Sequence, residues 1–298
     1  MSWTAQPQRG GGWLRVMAVI ALGLGWRAAQ ALLYPITLVY LASSPSRMRR
    51  ASRHYLARAL GRAPGLADMW RLYFAFAATL LDRAYLLTGR TAGYAITIEG
   101  LDAMRAHARA GRGCILLGAH FGSFDALRSI GGADAPVEIR ILMHHHMADA
   151  AHAMFNALDP SRARDIISLG NPAAMIEASE CLARGGVIGI LGDRAPRGER
   201  MISVPFLGRE APFPGGPLQL AAILGAPVLL CFGTWLGPRR YALRFEPFAE
   251  RVTLDRAARE ASLTEWLGRY ATRLEAMCRA HPFNWFNFYD FWQEEQPA

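Results

Sequence analysis

The chain predicts an α/β fold, a mostly parallel sheet flanked by helices, preceded by an N-terminal membrane-anchoring helix. Three observations lead there. From Ala95 onward, short apolar runs alternate with helical stretches of about 10–15 residues, the pattern of parallel strands joined by helices. Apolar residues make up 52% of 298, enough for a sizeable core. Before that alternation, Trp13 to Ala42 is apolar apart from Arg15, Arg27, Gln30 and Pro35. The simplest division is an anchor over 1–45 and a single α/β domain over 46–298.

Each element has its own reason. The uninterrupted apolar core from Val16 to Trp26 is shorter than the about 20 residues a bilayer requires, whereas the whole stretch is long enough. It reads as one span or as an interfacial helix pair bent at Pro35. Arg47, Arg49, Arg50 and Arg53 follow at once, which keeps that flank cytoplasmic. Asp68–Thr88 is a helix dense in aromatics, and Ala95–Glu99 is the first strand. Leu101–Arg112 then reads as helix, 113–118 as strand, 123–130 as helix, 137–143 as strand and 148–158 as helix. Asn171–Arg184 is helical with Asn171 as cap, and Val187–Leu191 is a strand ended by Gly192. Val228–Phe232 and Tyr241–Phe245 are later strands, and Thr264–Ala280 is the last long helix.

Charge narrows the partners. The formal net charge is +9, and all 33 basic residues are arginine, a bidentate binder of phosphate and carboxylate. Anionic lipid and acidic carrier proteins suit such a surface. Nucleic acid does not fit, because zinc-finger spacing, RNA-binding aromatic motifs and basic helical repeats are all missing. Cys114, Cys181, Cys231 and Cys278 are widely spaced, as expected of reduced, buried thiols.

The densest chemistry lies in Gly118-Ala119-His120-Phe121-Gly122-Ser123-Phe124-Asp125, where an apolar strand gives way to a helix. With His120 on the connecting loop, the chain can fold back and bring imidazole to the Asp125 carboxylate. Asp125 would keep one ring nitrogen protonated and leave the other to take a proton from a hydroxyl. The helix start beside Gly122 and Ser123 offers N–H groups to a developing oxyanion. A second His-x4-Asp, His144 to Asp149, is the reserve pair. His144, His145, His146 and His152 lack a Cys or Glu at a ligand spacing, so no metal is expected.

A second segment leaves a strand end, where open α/β sheets bind ligands: Asp193-Arg194-Ala195-Pro196-Arg197-Gly198-Glu199-Arg200. Its arginines could clamp a phosphate. The chain continues through Val204-Pro205-Phe206-Leu207-Gly208 to Pro212–Pro217, where prolines and glycines start a helix. Further on, Pro282–Trp292 carries seven aromatics, which core packing against the sheet would explain.

The His-x4-Asp block and the Asp193–Gly208 run resemble the lysophospholipid-type acyltransferases, in particular the bacterial lipid A late (lauroyl and myristoyl) acyltransferases. The tail has Asn287-Phe288-Tyr289-Asp290 where those enzymes usually carry His-Arg-Arg after a Trp. In this it looks more like a divergent branch serving aryl-polyene or other specialised lipids. The resemblance implies direct acyl transfer at the cytoplasmic face of a bacterial inner membrane, from acyl carrier protein or acyl coenzyme A to a lipid hydroxyl, without cofactor or metal. It implies His120 and Asp125 as catalytic residues and Gly122, Ser123, Asp193, Arg194, Arg197, Pro205, Phe206 and Gly208 as substrate site. Pro205–Gly208 would form a pocket wall, and Arg194 would add to the oxyanion site. Two alternatives belong to other classes. A lipid- or carrier-binding protein of this fold has no need of a base, and a hydrolase built on Ser123 lacks the Gly-x-Ser-x-Gly elbow.

Overall fold

The computed structural model describes residues 23–124, 126, 138–144, 165–171, 173–195 and 198–292. The elements in chain order are α1 (Trp26–Ser43), α2 (Ser46–Leu60), α3 (Leu66–Leu87), β1 (Ala95–Glu99), α4 (Leu101–Arg109), β2 (Cys114–Gly118), β3 (Ile139–His144) and β4 (Ile166–Leu169). They continue with α5 (Ala174–Ala183), β5 (Val187–Leu191), β6 (Met201–Phe206), β7 (Arg209–Pro214), α6 (Gly216–Leu224), β8 (Val228–Gly237), β9 (Arg240–Ala249) and α7 (Arg259–Ala280). Most of the expected helix over 123–130, the whole of that over 148–158, the anchor before Gly23, and His145, His146, Asp149 and His152 lie outside the described residues.

The sheet runs β1-β9-β8-β2-β5-β3-β4. All neighbours pair parallel except β8 with β9, whose antiparallel pairing reverses the direction of β9 and β1 relative to the rest. The expectation of a mostly parallel sheet between helices is met. β2, at its centre, is buried at all five positions, as a strand covered on both faces must be. Its side chains divide the core. Ile115 and Leu117 join the layer of α2, α3, α7 and the 282–292 tail, while Cys114 and Leu116 pack with Met104 of α4 and Tyr241 of β9. All four cysteines are free and buried.

The run 201–214, which is given no element in the sequence analysis, is an antiparallel hairpin, β6–β7. Pro205, Pro212 and Pro214 are tolerated because both strands of a two-stranded ribbon are edges. The alternation was visible all along: Ile202, Val204 and Phe206 are buried, and Met201, Ser203 and Pro205 are exposed. Leu207 and Gly208 turn the hairpin with φ of 49° and 81°, the pair of positive values a tight hairpin turn requires.

Among the described residues no helix is long and apolar enough to cross a membrane. The N-terminal span is therefore not supported in this part of the chain, because α1 uses one side for packing. Its buried stripe of Ala29, Gln30, Thr37 and Leu41 faces inward. The Trp70 indole N–H donates to Thr37 Oγ1 at 3.0 Å, and Tyr34 packs on Phe74 at 4.7 Å. The other side leaves Leu32, Ile36, Leu38, Val39 and Tyr40 between 43% and 68% exposed.

A buried carboxylate ties this helical layer to the sheet. Asp82 of α3 accepts from Trp26 Nε1–H (2.8 Å), Tyr94 O–H (2.7 Å) and Tyr241 O–H (2.8 Å). Burial raises its pKa, and the three donors work against that rise. Removing the acceptor strands three donors, two half-buried and one, the Tyr241 hydroxyl, fully buried. Asp82→Ala is expected to cost about 3 kcal/mol, read from the urea midpoint, and Asp82→Asn, which keeps an acceptor oxygen, clearly less.

Candidate active site

Strand register builds this site. β2 and β5 pair in parallel with Gly118 opposite Leu191, and the Gly192 N–H donates to Gly118 O at 2.9 Å, carrying the pairing one step beyond the strands. His120 and Asp193 each lie two residues past those partners, so the two side chains meet above the strand ends. His120 Nδ1 is 2.8 Å from Asp193 Oδ1, and the His120 backbone N–H donates to the same oxygen at 3.0 Å. An ionised carboxylate only accepts, so Nδ1 carries the proton and Nε2 keeps its lone pair. Asp193 is fully buried, while the His120 side chain is 28% exposed, which leaves the imidazole open to a reactant.

The charges agree with that assignment. Burial alone would raise the Asp193 pKa, but His120, Arg194 and the Trp285 indole outweigh it and hold the carboxyl well below the usual range. Burial, and then the Arg194 guanidinium, lower the His120 pKa, against the opposing pull of Asp193. Near neutral pH the pair is a neutral imidazole on a carboxylate, which is a poised general base.

The segment 282–292 closes the site from behind. Phe121 bridges antiparallel to Trp285, and the Phe286 N–H donates to His120 O at 3.0 Å. The indole N–H of Trp285, which is wholly buried, donates to Asp193 Oδ2 at 3.0 Å. Asn284 locks the segment to β8, its side chain accepting from Trp235 N–H (2.7 Å) and donating to Trp235 O (3.2 Å). The Tyr270 hydroxyl of α7 donates to Gly118 O at 2.8 Å and steadies the end of β2.

The site residues expected from sequence fall into distinct places. His120 and Asp193 are brought together, with Asp193 on the imidazole rather than at the substrate. Asp125 and Arg197 lie outside the described residues. The oxyanion role for backbone N–H groups at Gly122 and Ser123 is corrected. The Gly122 N–H donates to Asn284 O and the Ser123 N–H to Gly233 O, both at 2.7 Å, so neither faces a reactant. The approach is close enough that a Cβ on Gly122, whose φ is +57°, would land on the Gly233 carbonyl.

Arg194 is turned to the tail. It donates to Phe286 O, stacks over the Tyr289 ring at 5.4 Å and lies 3.8 Å from Asp193 Oδ2. These contacts give Arg194 a part in the scaffold. The pocket wall expected of Pro205–Gly208 is also corrected. Pro205 and Gly208 are exposed on the hairpin, and Phe206 is buried edge-on against Trp285 at 5.3 Å, behind the dyad. Trp285, Asn284 and Gly233 escaped sequence reading. The readable signal was the Asn-Trp pair within an aromatic run.

Replacing the Asp193 carboxylate with an amide keeps the shape but removes the negative partner. Asp193→Asn is expected to lower kcat by about 10³-fold with folding retained, and more than Asp125→Asn does, in parallel steady-state assays.

A comparison with curated proteins finds no match. Residues 72–294, which include every residue of the dyad and the tail that backs it, match the bacterial lipid A biosynthesis acyltransferases, and the chain belongs to that family.

Proposed function

We propose that this acyltransferase moves a fatty acyl group from an acyl thioester, carried by acyl carrier protein, to a hydroxyl of a lipid or glycolipid acceptor. The observation that carries the reading is the 2.8 Å contact of a partly exposed His120 with a buried Asp193 inside a chain of this family. His120 Nε2 removes the hydroxyl proton as the oxygen attacks the thioester carbonyl. The tetrahedral adduct collapses, the C–S bond breaks, and the imidazolium returns its proton to the departing thiolate. Asp193 holds the tautomer and stabilises the imidazolium. Asp125, in the His-x4-Asp block, stays in the proposal as the second acid of the loop, and Arg197 as a donor to substrate phosphate. An acidic carrier protein suits a chain of net charge +9.

We place the reaction at the cytoplasmic face of the inner membrane, with α1 lying in the interface rather than crossing it. Its exposed apolar face supports this, as does a neighbouring cavity of about 750 Å³ floored by Leu38, Leu41, Met69 and Trp70 and edged by Arg50 and Arg53. A lipid- or carrier-binding protein without catalysis is the competing reading, and the poised base speaks against it.

Labelled acyl transfer from acyl carrier protein into bacterial lipid extract tests the chemistry. Wild type should label a lipid, and His120→Ala should lose at least about 10³-fold of that rate with its fold intact. Equal labelling by both would refute the base. The base works only when neutral and its pKa is lowered, so kcat/KM should be full at neutral pH. It should fall only as pH drops below the ordinary histidine value of about 6.5. Membrane docking is separable from chemistry. Leu38→Glu combined with Val39→Glu, at positions 55% and 68% exposed, should weaken cosedimentation with anionic vesicles by at least about tenfold while leaving the fold intact.

A further inference from the structure

Trp285 sits at the one place where the tail, the acid and the base come together. Asp193 uses both carboxylate oxygens: Oδ1 takes the two His120 donors, and Oδ2 takes the Trp285 indole N–H at 3.0 Å. The indole cannot drift from that oxygen. Tyr55, Phe206 and Phe291 pack edge-on against it at 5.0, 5.3 and 4.9 Å, and its backbone bridges to Phe121, the residue after the base. A buried carboxyl with one oxygen unoccupied could rotate about its Cβ–Cγ bond, and the His120 bond would rotate with it.

We propose that Trp285 is a positioning residue of the acyl transfer, acting through Asp193. Its N–H fixes the carboxylate plane and withdraws part of the carboxylate charge from His120, which keeps the imidazole neutral and ready to accept a proton. The inference rests on His120 being the base. It assigns to the aromatic tail a part in the chemistry beyond core packing. Among the described residues, the other charged and titratable groups facing the pair are Arg194 from the same loop as Asp193, Tyr270 and Cys278 from α7, and Tyr289 from the tail. Burial raises the pKa of Tyr270, Cys278 and Tyr289, so none of these three gains or loses a proton near neutrality. Of these groups and His120, only His120 is left to titrate there.

The test removes one hydrogen and little else. Benzothienylalanine, the sulfur isostere of tryptophan, is placed at position 285 alone, and Trp285→Phe is made beside it. His120 is followed by ¹³C resonance of labelled histidine, assigned by its disappearance in His120→Ala. With the donor gone, Asp193 offers more charge to the imidazolium, so the His120 midpoint should rise by about half a unit or more in both variants. In the transfer assay kcat should fall by about tenfold with KM within about twofold, since the lost interaction does not touch substrate. A His120 midpoint and kcat equal to wild type, in a protein that His120→Ala inactivates, would overturn the role of Trp285 and leave the base standing. Full activity in His120→Ala would overturn both.

Discussion

The site depends on one register. β2 and β5 lie side by side with Gly118 facing Leu191, and the chain leaves both strands in the same direction. Neighbouring strands are about 4.8 Å apart, so residues at equal distances past the last pair are brought within reach of each other. His120 and Asp193 are such residues. A slip of one position would turn one side chain to the opposite face of the sheet, and the acid would then point away from the base. Gly189, opposite Leu116, leaves no room for a Cβ beside the Phe124 ring, so a slip that brought Ile188 or Ile190 there would collide with it. Two elements separated by some seventy residues thus meet through core packing rather than through any local motif.

The loop that carries His120 is held as firmly as a strand. Gly122 and Gly233 let two backbones approach closer than any side chain would allow, and Asn284 and Phe286 take up the remaining hydrogen bonds. This explains why the first-turn N–H groups are scaffold. A buried loop must satisfy its own donors, and those of Gly122 and Ser123 do so within the chain. The same economy turns Arg194 inward, where it caps a tail carbonyl and adds positive charge beside Asp193.

Much of this was legible in the residues. Alternating apolar runs revealed the parallel sheet, and His120 stood out by its place at a strand end. Asp193 was also flagged, at the end of the neighbouring strand, but as a substrate ligand. Its contact with His120 follows from pairing β2 with β5, and strand order cannot be read from one sequence. The hairpin has no element in the sequence analysis, since its alternation of buried and exposed residues is interrupted by prolines that only an edge strand tolerates. The expected N-terminal span begins before Gly23, outside the described residues, and its described part, α1, packs with one side. Apolar composition alone does not separate a helix that crosses a bilayer from one that packs with one side and exposes the other. Trp285 was counted among core aromatics, which it is, and nothing in the spacing disclosed that its N–H lands on a carboxylate.

The position of the tail along the chain has a consequence for biogenesis. Residues 282–292 are translated after every other element of the site, yet they supply the strand-like edge against which the His120 loop is laid and a donor for Asp193. A nascent chain with its sheet already formed would hold His120 and Asp193 without that edge and that donor. The support of the His120–Asp193 pair, though not the pair itself, therefore arrives last in synthesis.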